Sequence, residues 1–250
     1  TVVRASHGGV SGARNAGLRA ARGACVGFVD SDDFIDESFF GILYETLRAS
    51  GSDMAVAAIK VYDAQGVERS AWNMADTVLN FEHLNQDLFA EFVEKFLLFG
   101  PCNKLYRSNI IRESGAFFDP AFSFGEDLLF NLRYLRQAKT VAITERAHYR
   151  YVRANAGSLS RKYRTDMAVT AENLHFALMD YFSSIGFTGP RASRILYGRL
   201  FDDFYNAMLF IARDRTLGFW KRRSKILSLM RNKEFLKSFD ELAVAGIVKC

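Results

Sequence analysis

Residues 24–33 of the chain, ACVGFVDSDD, decide the fold. The first six residues are apolar without interruption, and a run this short and this apolar predicts a buried strand rather than a helix. The carboxylates of Asp30, Asp32 and Asp33 follow at once. In open α/β sheets, ligands bind beyond the carboxyl ends of the strands. The stretch therefore predicts a buried strand of the parallel type that ends in an acidic ligand site.

The segments around this strand predict alternating helices and strands. Residues 12–22 predict a helix capped by Ser11, and residues 37–49 predict a second helix capped by Asp36. A further strand is expected over residues 54–62. This order of elements predicts the α/β class. The first helix is expected to bury its small residues against the sheet, namely Ala13, Ala16, Gly17 and Ala20.

The remainder of the chain changes from mixed to helical patterns. Two helices and two strands are predicted next, the helices over residues 85–98 and 126–138 and the strands over residues 140–144 and 147–152. Beyond residue 163 the pattern is helical, with breaks at residues 186–190 and 216–218. We therefore expect an α/β domain over residues 1–160 and a helical, basic region over residues 161–250.

Composition limits the classes of protein that the chain can be. Its 250 residues are 49% hydrophobic, 14% aromatic and 24% charged, which excludes intrinsic disorder as the main state. No run of about 18 apolar residues predicts a membrane-spanning helix. The three cysteines lack the spacing of a disulfide framework or a zinc site, which favours a reducing compartment. The net charge of +5 comes from residues 191–250, with 13 Lys and Arg against 6 Asp and Glu.

The acidic run is a candidate metal site. Three carboxylates within four residues repel one another, and oxygen ligands of this kind suit Mg²⁺ or Mn²⁺ bridging to substrate phosphates. A solvated turn that caps the next helix explains the same residues equally well. An EF-hand is excluded, because the sixth and twelfth positions from Asp30 are Ile35 and Gly41.

Two other segments have features of a ligand site. Residues 7–15, HGGVSGARN, combine glycines, a helix start and an arginine, which together favour a diphosphate but match neither nucleotide-binding fingerprint. Glu126 and Asp127 lie in the first turn of a predicted helix, where the helix dipole stabilises negative charge, and helix capping alone explains them. Ser158 has no visible triad partner, so nucleophilic serine catalysis is not indicated.

Taken together, these residues resemble the bacterial family 2 glycosyltransferases of the GT-A fold. Five segments match in the family's order and spacing: GVSGARNAGL at 9–18, FVDSDD at 28–33, NKLY at 103–106, GED at 125–127, and YVRANAGSLS at 151–160. The joint match is far more specific than any one segment. For the acidic run, the joint match favours a metal site over a solvated turn that caps the next helix.

The resemblance implies a fold and an activity. The fold is a GT-A mixed or parallel sheet flanked by helices, followed by a helical extension. The activity is transfer of a sugar, with inversion, from a nucleotide-diphosphate donor such as a UDP-sugar to a hydroxyl of a glycan or lipid-linked acceptor. The resemblance also implies a role in cell-surface polysaccharide synthesis. The implied location is the cytoplasm, or peripherally at the inner face of the cell membrane.

The resemblance also implies roles for individual residues. Asp30 is expected to face the nucleotide ribose and Asp32 the Mn²⁺ or Mg²⁺ ion, which acts as a Lewis acid on the diphosphate. Asp127 is expected to be the general base, with Glu126 as the second candidate. The remaining assignments are Arg14, Asn15 and Gly9 at the nucleotide diphosphate, and Lys104 and Ser158 on the acceptor side.

Two departures from the family pattern concern the start of the domain and one wall of the site. The family begins with about two further strand-helix units ahead of the glycine loop. Their absence here predicts an N-terminally truncated domain with impaired donor binding. Cys102 stands where such proteins often have tryptophan before Asn-Lys. This replacement affects the wall on the acceptor side.

Competing hypotheses concern other functions and the basic C-terminal region. One is a module that binds nucleic acid or an anionic surface, and another is a metal-dependent nucleotide enzyme such as a nucleotidyltransferase. In the C-terminal region, residues 219–230 place apolar side chains beside cations, which is typical of a helix in an anionic membrane interface. Packing of the apolar side onto the α/β domain is about as common. The apolar residues are Phe219, Trp220, Ile226, Leu227 and Met230, and the cations Lys221, Arg222, Arg223 and Lys225.

Overall fold

The structure is a computed structural model that describes residues 2–4, 6–122, 124–153 and 166–244. The chain divides into two compact units, Thr1–Asn155 and Ala156–Cys250. The division lies close to residue 160, where the sequence pattern changes from mixed to helical.

The first unit contains a mixed sheet and helices. In its described part the strands are β1 (Cys25–Gly27), β2 (Met54–Asp63), β3 (Glu68–Trp72), β4 (Thr77–Asn80), β5 (Lys104–Arg107) and β6 (Thr140–Arg153). The helices there are α1 (Gly9–Ala20), α2 (Phe39–Ser50), α3 (Gln86–Glu94), α4 (Ser108–Ser114) and α5 (Glu126–Leu135).

The sheet order is β1-β5-β2-β6-β4, and β3 pairs with β2. Strands β2 and β6 are parallel, and the other described pairs are antiparallel. Helix α2 packs on the sheet through Phe39, Leu43 and Leu47, which are almost fully buried. The predicted mixed α/β sheet is therefore confirmed.

Strand β1 differs from its prediction. Its described partner is β5, to which it is antiparallel, and its three residues are half-buried rather than buried. An apolar run indicates contact with a core but does not encode the direction of the partner strand. The contact here is aromatic, since the Phe28 ring lies edge-on to Phe118 and Phe130 at 5.3 and 5.7 Å between centroids.

Helix α1 also begins and packs differently from its prediction. It starts at Gly9 with Gly8 as N-cap, and Ser11 lies inside the helix, where its hydroxyl donates to the Asp119 carbonyl at 3.4 Å. Ser11 therefore is not the cap. Of the four small residues predicted to be buried, only Ala16 is. The side of α1 that contacts the loop after α4 contains Ser11 and Asn15, which donate to the carbonyls of Asp119 and Phe118.

Other boundaries were predicted with smaller errors. The N-cap of α2 is Ser38, and the carboxylate of Asp36, the predicted cap, pairs with Arg150 at 2.6 Å. Helices α3 and α5 end three or four residues earlier than predicted. The two strands predicted over 140–144 and 147–152 form one strand, β6, with a register shift. The sequence pattern predicted none of β3, β4, β5 and α4.

The described part of the second unit is helical. Its helices are α6 (Met167–Ser184), α7 (Pro190–Arg213), α8 (Phe219–Met230) and α9 (Lys233–Val244). Helix α7 packs against the other three and buries Leu200, Phe204 and Ile211. The breaks between α6, α7 and α8 confirm the two predicted interruptions. In the described ranges, no helix is both long and apolar enough to cross a membrane.

Candidate active site

The acidic run forms a turn that β6 holds in place. The Tyr149 hydroxyl donates to the Asp33 carboxylate at 2.7 Å and accepts from the Asp30 backbone N–H at 3.1 Å. The backbone N–H of Val152 donates to the other Asp33 oxygen at 2.8 Å. Burial raises the pKa of Asp33, and the hydrogen bonds from the Val152 N–H and the Tyr149 hydroxyl oppose the rise. Asp33 is therefore an internal support of the turn.

The other two carboxylates of the run face outward. The Asp30 side chain is 39% exposed, and Asp32 is exposed, with no hydrogen bond or ion pair to its carboxylate from the described residues. The part of the chain that the structure describes contains no group of three or more His, Cys, Asp or Glu side chains placed to hold a metal. Mg²⁺ in nucleotide sites commonly takes one or two carboxylates together with phosphate oxygens and water. Asp30 and Asp32 fit that incomplete donor set.

The second acidic pair is placed by a glycine. Gly125, the N-cap of α5, has φ of +82°, a left-handed conformation that favours glycine. The helix then begins directly with Glu126 and Asp127, whose charges the helix dipole stabilises. The Asp127 side chain is 30% exposed and that of Glu126 only 10%. Of the two acids, Asp127 is thus the more accessible to a substrate.

Arg14 joins the two acidic segments. Its guanidinium donates to Asp127 through Nη1 and to Asp30 through Nη2 at 2.8 Å. Glu126 lies 3.7 Å from Nη1, and the Phe118 ring lies against the guanidinium at 5.1 Å. Burial by itself would lower the pKa of Arg14, but the Asp127 and Asp30 carboxylates raise it above its ordinary value. Arg14 is therefore a permanent cation among three carboxylates.

The pKa of Asp127 is suited to proton transfer near neutral pH. Burial raises the pKa to about 7, and the Glu126 and Asp30 charges act in the same direction. Arg14 opposes the rise. A general base is most effective when its pKa lies near the operating pH.

Asn15, which the sequence assigned to the diphosphate, has a structural contact. Its amide donates to the Phe118 carbonyl at 2.7 Å and accepts from the Phe118 N–H at 2.9 Å. Both functions of the side chain are thus used to fix the segment whose ring lies against Arg14. Gly9, at the exposed start of α1, has φ of +66° and leaves that helix start open. Its predicted diphosphate contact stays a prediction.

Lys104, predicted on the acceptor side, is fully buried. Its ammonium donates to the carbonyl of Gly100 and to the Asn103 side chain at 2.9 Å. Burial lowers its pKa to about 7. The Asn103 amide in turn donates to the Ala57 carbonyl at 2.8 Å, which ties the segment before β5 to β2. The contacts of Lys104 therefore support the backbone.

Some site residues were not predicted from the sequence. Tyr149 and Phe118 contact the acidic run and Arg14, and Asn131 donates to the carbonyls of Leu98 and Phe99 at 2.7 and 2.8 Å. The signal that could have found Tyr149 is its inward position in a predicted strand. The other two residues have no local signal, since their partners are distant in sequence. Ser158 lies outside the described residues.

Known proteins resemble this chain in sequence and in fold. Residues 1–115 match the family described as glycosyl transferase family 2. The uncharacterized glycosyltransferase EpsJ of Bacillus subtilis is 28% identical over 75% of this chain and 55% of its own length. The poly(ribitol-phosphate) beta-glucosyltransferase of Bacillus spizizenii is 26% identical over 71% of this chain and 26% of its own length. The chain thus spans between about a quarter and about half of these relatives.

Solved structures agree on the fold. The crystal structure of Staphylococcus aureus TarS residues 1–349 in complex with UDP-GlcNAc superposes with a TM-score of 0.64 at 17% identity. The match covers 92% of this chain and 62% of that one. The likeness shows that the chain shares the mixed α/β fold of that structure. Within the first unit, residues 1–115 are therefore similar to the domains of glycosyl transferase family 2.

Proposed function

We propose that the protein is an inverting glycosyltransferase that moves a sugar from a nucleotide-diphosphate donor, with UDP as the nucleotide, to an acceptor hydroxyl. One observation supports this most directly: Arg14 brings Asp30 of the acidic run and Asp127 of α5 to the same guanidinium. A carboxylate on the donor side and an accessible base therefore both contact the Arg14 side chain. Such proximity is what in-line attack on a bound sugar requires.

The donor side uses the outward carboxylates and the start of α1. Asp32, with Asp30 beside it, is the proposed holder of Mg²⁺ or Mn²⁺. When bound, the ion supplies Lewis-acid stabilisation of the charge on the departing nucleotide. The open N-terminus of α1 at Gly9 offers backbone N–H groups to diphosphate oxygens. Asp33 and Tyr149 hold this turn in place for binding.

The acceptor side uses Asp127 as general base. Its carboxylate takes the proton of the acceptor hydroxyl as the oxygen attacks the anomeric carbon from the face opposite the leaving nucleotide. Arg14 orients that carboxylate by direct donation and keeps the pKa of Asp127 from rising further. Glu126 is less accessible, so it acts as part of the charge environment. Lys104 supports the neighbouring backbone, and Ser158 stays a predicted acceptor-side residue.

We infer the substrates and the location of the enzyme from the functions for which its relatives are named. The first relatives include a poly(ribitol-phosphate) beta-glucosyltransferase and the succinoglycan biosynthesis protein ExoO of Rhizobium meliloti. The superposed TarS structures contain UDP-GlcNAc or UDP. These support a UDP-sugar donor, and a glycan or lipid-linked acceptor in cell-surface polysaccharide synthesis. The proposed location is the cytoplasm, either free or peripherally at the inner face of the cell membrane.

A donor screen tests the proposal. The full-length protein is heated with UDP-, GDP- and dTDP-sugars in Mn²⁺, in Mg²⁺ and in EDTA, and its melting temperature is recorded. We expect stabilisation by a UDP-sugar with a divalent cation, because a ligand that binds only the folded state raises the melting temperature. Stabilisation by none of the nucleotide sugars would contradict the proposal.

The product distinguishes the nucleotidyltransferase alternative. A glycosyltransferase releases the nucleoside diphosphate, whereas a nucleotidyltransferase acting on a nucleoside triphosphate releases pyrophosphate. Phosphorus NMR of a reaction mixture identifies which of the two forms. We expect UDP and no pyrophosphate.

A further inference from the structure

Helix α8 exposes large apolar side chains. None of its residues is buried. Trp220 is 75% exposed, Phe219 63% and Met230 48%. A cluster of exposed apolar side chains on one surface commonly marks an interaction site, whereas single scattered ones do not.

The same side of α8 contains cations. Successive positions on an α-helix are about 100° apart, which places Arg223 between Phe219 and Trp220 around the axis. An open groove of about 730 Å³ runs along this side. The groove is lined by arginine, serine and apolar side chains, namely Trp220, Arg223, Ser224, Leu227, Ser228 and Arg231. Helix α8 has no acidic residue.

The opposite side of α8 faces its own unit. Arg222 donates to the carbonyls of Ala212 and Asp214, at 3.3 and 3.5 Å, and so closes the carboxyl end of α7. Ile226, which lies between Arg222 and Phe219 around the axis, is half-buried. The sequence predicts apolar side chains beside cations, and on the exposed side Arg223 lies beside Phe219 and Trp220. Aromatic residues and two arginines share the exposed side.

We propose that this α8 surface, formed by Phe219, Trp220, Arg223, Leu227, Met230 and Arg231, binds the surface of a membrane that contains anionic lipids. A helix in that position buries its apolar side chains at the level of the headgroups and acyl chains and places its cations against lipid phosphates. Tryptophan is favoured at this depth because its ring is apolar and its N–H is polar.

The apolar content favours lipid over nucleic acid as the partner. A polyanion in water satisfies Arg223 and Arg231 equally well, but it leaves Phe219 and Met230 in water. Acyl chains cover these side chains as well. An anionic lipid surface therefore matches both the charge and the apolar area of this side.

Co-sedimentation with vesicles tests the proposal, and it needs neither donor nor acceptor, so its outcome is independent of transferase activity. The full chain is mixed at low ionic strength with vesicles of phosphatidylcholine alone or with one third phosphatidylglycerol. We expect partition onto the anionic vesicles and a loss of roughly tenfold or more in Arg223→Gln/Arg231→Gln. Trp220→Ala should weaken binding in the same assay.

Matched variants control for general charge and general exposure. Arg19→Gln/Arg22→Gln removes two exposed arginines from the first unit, and Phe176→Ala removes an aromatic side chain that is 43% exposed on α6. Both should bind vesicles as the wild type does. Circular dichroism verifies that every variant is folded.

Fluorescence gives a second readout. Trp72→Phe leaves Trp220 as the single tryptophan of the chain, and its emission should shift to shorter wavelength on anionic vesicles. Equal binding to neutral and anionic vesicles, an unchanged spectrum, or no effect of the double arginine variant would each overturn the proposal. So would binding to single-stranded DNA that depends on these arginines when vesicle binding is absent.

Discussion

Two buried cations of the first unit, Arg14 and Lys104, have opposite surroundings. Arg14 contacts the carboxylates of Asp30 and Asp127, and its pKa lies above the ordinary value. Lys104 donates to a carbonyl and to an amide oxygen, and burial lowers its pKa to about 7. A buried cation keeps its charge where carboxylates replace the lost water. Arg14 can therefore organise charged groups, whereas Lys104 organises backbone.

The largest effect that tests this contrast is expected from Arg14→Gln. The change removes the charge that orients Asp127 and joins it to Asp30, so turnover should fall by roughly a hundredfold or more. Without Arg14 the pKa of Asp127 rises, and the acidic limb of the pH–rate profile should move to higher pH. Steady-state kinetics across pH measures both effects.

Arg19→Gln, an exposed position on the same helix, is the control and should behave as wild type. Arg14→Lys should recover part of the turnover, because it keeps the charge but not the two-sided contact. Turnover close to wild type in Arg14→Gln would show that the guanidinium does not organise the site.

The next effect concerns Asp32, an exposed carboxylate with no ion-pair partner in the part of the chain that the structure describes. Asp32→Ala should weaken binding of UDP roughly tenfold or more in Mn²⁺ and leave binding in EDTA unchanged, since only the cation-dependent part is lost. Calorimetry of both proteins in both buffers measures the difference. Equal affinity of the variant and the wild type in Mn²⁺ would refute the metal assignment of Asp32.

Lys104 predicts a pH dependence of stability. Between pH 7 and 9 an unfolded lysine holds its proton, whereas folded Lys104, with its pKa of about 7, has lost it. The unfolded state then binds more protons, so the free energy of unfolding rises with pH, by at most about 1.4 kcal/mol per unit. Lys104→Met should remove this rise. Urea unfolding of both proteins at several pH values measures it, and parallel curves would contradict the lowered pKa.

The smallest effect is expected at Asn15. Asn15→Ala removes two hydrogen bonds to Phe118 and should lower the free energy of unfolding by about 2 kcal/mol. Asn109, exposed and only weakly bonded to Glu113 at 3.4 Å, is the control, and Asn109→Ala should change stability little. A large loss of UDP affinity in Asn15→Ala at unchanged stability would instead support the diphosphate role that the sequence suggested.

The sequence predicted the elements with strong local patterns. The strand at 54–62, the helix after Gly125 and the helical second unit each have a periodicity or a cap that specifies them. Strand β5 has only four residues and β3 is exposed almost throughout, so neither has a pattern that distinguishes it from a loop. The partner of β1 was missed because strand direction depends on residues far along the chain.

The site was predicted by residue type but not by contact. The acidic run was singled out by its position at a strand end, whereas the expected role of Asp127 came from the family resemblance. The guanidinium of Arg14, by contrast, was assigned to a substrate, and the structure pairs it with carboxylates 16 and 113 residues away. Lys104 was assigned to the acceptor side, although its side chain is buried. Such long-range pairs leave no local signal in a single sequence.

The central claim is that Asp127, held by Arg14, is the general base. The most direct measurement compares turnover and donor affinity in Asp127→Asn and in Glu126→Gln. Asp127→Asn should lower turnover about a hundredfold or more while donor affinity stays within a few-fold, because the base acts on the acceptor proton. Glu126→Gln should retain most of the turnover. Wild-type turnover in Asp127→Asn, or its loss in Glu126→Gln alone, would contradict the account.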